Sequence, residues 1–105
     1  MKNISIKQLI NDKGNPANNQ IVATRTNDDG MIQSETFISY GYDICQYDRK
    51  TRNIYLTEKW DFSNTTRKHL FIFLREICNL SIYSRNDVLA MIGSGRFKVV
   101  EEIEK

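Results

Sequence analysis

Hydrophobic positions along this chain of 105 residues follow two regimes, a period of two up to about residue 59 and a helical period after it. Residues 3–10, NISIKQLI, set Ile4 and Ile6 two apart before running into Leu9 and Ile10, and predict a first strand. Asp12 to Asn19, DKGNPANN, collects Gly14, Pro16 and four more loop formers and predicts an exposed loop. Gln20 to Thr26 predicts a second strand, with Ile21 and Ala23 on one face and Val22 and Thr24 on the other. Asn27-Asp28-Asp29-Gly30 is a hairpin turn, because Asp-Gly supplies the positive φ that a tight turn needs. A third strand should run from Met31 to Tyr40. Gly41 interrupts it and predicts a bulge or bend rather than a clean end. Tyr42 to Tyr47 is extended again, Asp48 to Asn53 is a polar, basic turn, and Asn53 to Lys59 predicts another strand.

The helical regime begins with Trp60 to Cys78, WDFSNTTRKHLFIFLREIC. Ser63 is a good N-cap, and the helix should run from there to about Asn79. At 3.6 residues per turn, Thr66, Leu70, Phe71, Phe73, Leu74, Ile77 and Cys78 share one broad face. Lys68, Ile72, Arg75 and Glu76 lie on the other, which makes Ile72 an exposed apolar residue in a charged row. Ser84 and Asp87 form a capping box for a shorter helix, Tyr83 and Val88 fit a hydrophobic staple, and Gly93 closes it. Arg96 to Val100 predicts a final strand with Phe97 and Val99 on one face, and Glu101 to Lys105 should fray. The expected fold is α+β, one domain over residues 1–105. An antiparallel sheet of four to five strands is packed by one long and one short helix, with a short C-terminal strand.

Composition changes this picture little. The hydrophobic share of 40 % and the charged share of 27 % are ordinary for a globular protein. A net charge of +2 is too mild to indicate nucleic-acid binding by itself. The charge is uneven, since residues 1–100 hold 14 basic and 10 acidic residues while Glu101, Glu102 and Glu104 crowd the end. Cys45 and Cys78, 33 positions apart and outside any CxxC motif, read as reduced core residues. Met1-Lys2-Asn3 leads into alternating residues rather than an apolar run, so no signal peptide is expected. Nor does any stretch approach the roughly 20 apolar residues that span a bilayer. The expectation is a soluble, cytoplasmic protein without membrane contact.

Candidate chemistry is sparse. One histidine, His69, and scattered carboxylates give no metal-ligand spacing, and His69 reads as a surface or semi-buried residue without a role. The cysteines lack a base at readable distance, and no serine lies in a strand-turn-helix elbow. Gly93-Ser94-Gly95 follows a helix, the wrong context for a dinucleotide loop. No catalytic residue, metal or cofactor is expected, and the chain is not read as an enzyme. Binding is more open. Arg49, Lys50, Arg52, Lys59, Arg67, Lys68 and Arg75 could form a basic patch near Tyr42, Tyr47 and Tyr55, a mixture suited to single-stranded nucleic acid. Arg67 and Lys68 oppose the dipole at the start of their helix, which hints at a purpose other than stability. Residues 63–92 could also be read as a helix-turn-helix, although Ser84 and Asp87 already serve as a capping box.

Ser39-Tyr40-Gly41, Ile44, Ile54, Leu56, then Trp60-Asp61-Phe62-Ser63 with Thr65-Thr66, and Leu70, Phe73 and Leu74 carry a resemblance. Over residues 20–78 the chain resembles a family of small uncharacterised proteins from phages and mobile elements of Gram-positive bacteria. The motif's own content is structural, with Trp60 sealing the sheet–helix corner and Ser63, Thr65 and Thr66 serving open helix amides. The resemblance implies a non-enzymatic counter-defence protein in the host bacterial cytoplasm, an anti-CRISPR inhibitor of a type II CRISPR effector nuclease or its guide complex. Its partner-binding face would be built from Tyr42, Asp43, Tyr47, Ile72, Glu76, Glu101 and Glu102, with charge complementarity toward a basic channel. The alternative is a nucleic-acid-binding accessory or regulatory protein using the basic patch. Either could act as a monomer or a homodimer.

Overall fold

The computed structural model describes residues 3–104. The expectations of no signal peptide at Met1-Lys2 and of fraying at Lys105 fall on residues outside that range. Six strands form one sheet in sequence order: β1 (Asn3–Ile10), β2 (Pro16–Thr26), β3 (Ile32–Ser39), β4 (Tyr42–Asp48), β5 (Ile54–Thr57) and β6 (Phe97–Val100). Strands β1 to β5 are antiparallel neighbours, and β6 joins β5 in parallel. A parallel neighbour requires a long crossover. That crossover holds a 3₁₀ turn (Glu58–Asp61), α1 (Asn64–Glu76) and α2 (Arg85–Gly93). The α+β class is as expected, with the closing strand being a sixth member of a mixed sheet.

Two of the turns are the same device. Asn11 accepts from the amides of Lys13 and Asn15 through Oδ1, and Asn27 accepts from Asp29 and Met31 in the same way. Gly14 and Gly30, each three residues on, take the left-handed conformation at φ 79° and 82°. The expected eight-residue loop at 12–19 is therefore a short hairpin, and its second half already pairs, with Ile10 opposite Pro16. Gly41 also behaves differently from expectation. Tyr40 and Gly41 both have positive φ, 51° and 82°, and make a two-residue hairpin between Ser39 and Tyr42. The irregularity lies further on, where Phe37 pairs with Cys45 and Ile38 with Asp43.

The strand register assigns each face. Val22, Phe37, Cys45, Tyr47, Ile54 and Leu56 point to one side and meet Leu70, Phe73 and Leu74 of α1 in the core. The Phe37 and Phe73 rings stack at 5.8 Å. Ser63 caps α1 as expected, accepting from the Thr66 amide. The Thr66 hydroxyl bonds Ser39 at 3.0 Å, which ties the helix start to the end of β3. Trp60 is buried at the sheet–helix corner. The capping box of α2 is present, but Tyr83 is exposed beneath Arg75 and makes no staple. The helix ends at Gly93, and the left-handed glycine is Gly95. In β6 Phe97 is buried while Val99 is half exposed.

Three expectations about burial are overturned. Ile72 is 3 % exposed, because α1 runs from Ser39 toward β1 and its far end packs beside Leu9 and Ile10 as well as over the sheet. His69 is buried, with Nδ1 at 2.8 Å from the Thr65 carbonyl. The described part of the tail, Glu101 to Glu104, is held: Ile103 is buried, and the Glu104 carbonyl accepts from Gln46 Nε2 at 2.7 Å. The tail thus lies on the sheet face that the helices leave bare. Inside the core, Gln20 is fully buried with neither amide atom hydrogen-bonded, a local cost of roughly 1–3 kcal/mol.

Candidate interaction surface

The tail brings distant residues together. Glu101, Glu102 and Ile103 meet the start of β4 at Tyr42 and Asp43, the end of β5 at Thr57, and Lys59 of the 3₁₀ turn, around a depression of about 290 Å³. Thr57 anchors this corner by donating its hydroxyl to the Asp43 carbonyl at 2.6 Å. Tyr42 is exposed, with the Lys59 ammonium 5.3 Å from its ring centre. On the other side of Ile103, a second depression of about 450 Å³ is walled by Arg25, Gln46, Asp48, Tyr55, Glu102 and Glu104. Ile103 is the wedge between the two.

Of the seven residues expected to face a partner, four therefore converge: Tyr42, Asp43, Glu101 and Glu102. The other three do not join them. Tyr47 is buried on the helix side of the sheet, with Arg49 stacked over its ring at 4.7 Å. Ile72 is buried, and it lines with Glu76 a separate groove along Lys7 to Ile10 of β1 and the following Asn11. Asp48 and Ile103 belong to the surface but were missed, and Tyr55, expected beside the basic patch, lies here with them. The one legible signal was Ile103 itself, a large apolar residue inside an acidic run that needs a place to bury.

The basic residues do not gather. Lys59 and the turn holding Arg49, Lys50 and Arg52 lie near opposite ends of β4 and β5, about 20 Å apart for a seven-residue strand. Arg49 is spent on the buried Glu35 carboxylate, donating from Nε at 2.6 Å. Arg67 donates to Asp61 at 2.8 Å and also holds Asn64. Arg75 donates to the Ile82 carbonyl at 2.8 Å and reaches Asp12. Arg67 at the helix start is thus explained by Asp61, a fixed carboxylate beside the first turn. Arg85 clasps the same Asp61 carboxylate and covers Trp60 at 5.9 Å. Arg85 would have opened a helix-turn-helix reading helix, and here it joins that helix to the 3₁₀ turn. Hydrogen bonds from Arg85 and Arg67 hold Asp61 below its usual carboxylate range, and Asp61 in turn raises Arg85.

Neither thiol is poised as a nucleophile. Burial, reinforced by the nearby Cys78, pushes Cys45 well up. Burial, then Glu35, pushes Cys78 up to about 12. Among the described residues, no group of three or more His, Cys, Asp or Glu side chains is placed to hold a metal ion. Among the described residues no helix is long and apolar enough to cross a membrane. Comparison of the chain with protein families, with curated proteins and with solved structures returns no match.

Proposed function

We propose that this chain is a non-enzymatic binding protein that inhibits a host defence nuclease, a type II CRISPR effector, by docking its acidic corner on a basic surface of that nuclease. The observation that supports this reading is the convergence of Glu101 and Glu102 with exposed Tyr42 from separated segments of the chain. Carboxylates held next to an aromatic ring complement the arginines and lysines that line a guide- or DNA-binding channel. The resemblance of residues 20–78 to small phage and mobile-element proteins supplies the class of partner. The nucleic-acid alternative has less support, since Arg49, Arg67 and Arg75 are engaged within the fold.

The test uses the tagged full chain in lysate carrying a type II CRISPR system, with and without nuclease treatment, followed by a target-cleavage assay. The expected result is recovery of the effector in both samples and inhibition of cleavage. The double variant Glu101→Lys, Glu102→Lys should weaken binding at least about tenfold, or about 1.4 kcal/mol, without changing the melting temperature by more than a few degrees. Recovery of nucleic acid alone, lost as salt rises, would replace this reading with the basic-patch one.

A further inference from the structure

β1 is a terminal strand of the sheet, with β2 along one edge and no neighbour among the described residues along the other. Its first six residues, Asn3 to Gln8, are all exposed. Their amphipathicity is reversed relative to the core. The register sets Ile4 beside Arg25 and Ile6 beside Ala23, on the face bare of helices. Ile4 is 58 % and Ile6 64 % exposed, and with Ala23, Thr36 and Ile38 they line an apolar groove of about 230 Å³. Ser5 and Lys7 occupy the opposite face. A strand of eight residues with no proline, one charge and a free hydrogen-bonding edge is a ready template for another strand.

We propose that a second copy of the chain occupies this edge. Two β1 strands pair antiparallel about a two-fold axis at Ser5 and join two six-stranded sheets into one. An isologous contact requires a surface that matches itself, and β1 meets that requirement. Directly opposed residues in an antiparallel pair share a face. With Ser5 against Ser5, Ile4 of each copy meets Ile6 of the other, and the two apolar grooves become one stripe. An axis at Ile6 would instead set Ile4 against Gln8. Charge agrees with the same register, because Lys7, the strand's sole charge, falls opposite Asn3 and the two lysines stay apart. The area sets the strength. One strand pair with four isoleucines is small against the roughly 1,200–2,000 Å² of stable specific interfaces, so the dimer is weak and reversible.

The experiment measures the mass of the full chain by analytical ultracentrifugation from about 1 μM to about 1 mM. The expected result is a mass that doubles with concentration. Ile6→Lys should remain monomeric throughout with an unchanged circular dichroism spectrum and melt, since Ile6 is largely exposed. Register is tested by oxidation of single variants, with Cys45 and Cys78 buried in each. Ser5→Cys should cross-link two copies, because the opposed positions on the axis lie about 5 Å apart. Lys7→Cys should not, because its two copies would lie about 14 Å apart, four residues along the strand. A monomer at every concentration, a dimer indifferent to Ile6→Lys, or equal cross-linking at positions 5 and 7 would overturn the proposal.

Discussion

Asp61 shows how one side chain can hold three elements. It sits in the 3₁₀ turn, accepts from Arg67 of α1 and Arg85 of α2, and so joins both helices to the end of β5. Its carboxyl is held below the ordinary value of 3.8, chiefly by the Arg85 hydrogen bonds. A group whose pKa is depressed on folding contributes stability that is complete above the unfolded value and is lost as pH falls through the folded one. Asp61→Asn should therefore lower the melting temperature at pH 7, and the gap to the unaltered chain should narrow as pH falls below 3.8 and through the lowered Asp61 value. Thermal melts of the two proteins across pH would check this. A gap that persisted in acid would mean that Asp61 acts by packing rather than by charge. From the sequence, Arg67 was legible as a cation out of place at a helix start, but its partner was not. The hydrogen-bonding carboxylate lies six residues back, and the second arginine lies 24 residues beyond that carboxylate, separations that no local rule joins.

At the scale of elements, turns and caps were legible where a short polar motif satisfies its own backbone. Ser63 and the Ser84–Asp87 box follow from hydroxyl and carboxylate groups within three residues of open amides. The turn at Asn27–Gly30 follows for the same reason, yet its twin at Asn11–Gly14 was hidden by the proline and asparagines after it. The two turns share hydrogen bonds and left-handed glycines. Gly14→Ala and Gly30→Ala should then each destabilise the fold by about 1 kcal/mol, because a Cβ disfavours the left-handed conformation. Urea unfolding of both variants measures this. A neutral Gly14→Ala beside a costly Gly30→Ala would restore the open loop at 12–19. Helix α1 was legible in length and cap but not in its full buried arc. A wheel assumes one covering surface, and α1 meets both the sheet and the β1 end, which takes in Ile72.

For the whole molecule, the tail decides what the bare face offers. Ile103 buries on that face and Gln46 donates to the Glu104 carbonyl, so Glu101 to Glu104 act as a strap rather than a loose end. Truncation after Val100 should destabilise the chain by about 2 kcal/mol, from one buried isoleucine and one hydrogen bond. It should also abolish the proposed partner binding, which Glu101→Lys, Glu102→Lys should only weaken, because the wall of the depression is lost along with its charge. Equilibrium unfolding and the cleavage assay read the two effects separately. Unchanged stability would mean that the tail does not dock in solution.

The sequence by itself determined the elements. Alternation, helical period, Asp-Gly and N-cap chemistry are local, and each acts over fewer than ten residues, so the α+β class, the strands and both helices could be read in order. Tertiary structure alone decided which faces those elements bury and which residues meet. The parallel seat of β6 beside β5 depends on a crossover of 39 residues between Thr57 and Phe97. The burial of Tyr47 under Arg49 depends on that arginine reaching Glu35, and the acidic corner depends on the tail crossing back over the sheet. These are long-range contacts. Their free energy comes from covering apolar surface and pairing buried polar groups, and the local pattern of the chain does not record where that surface will be.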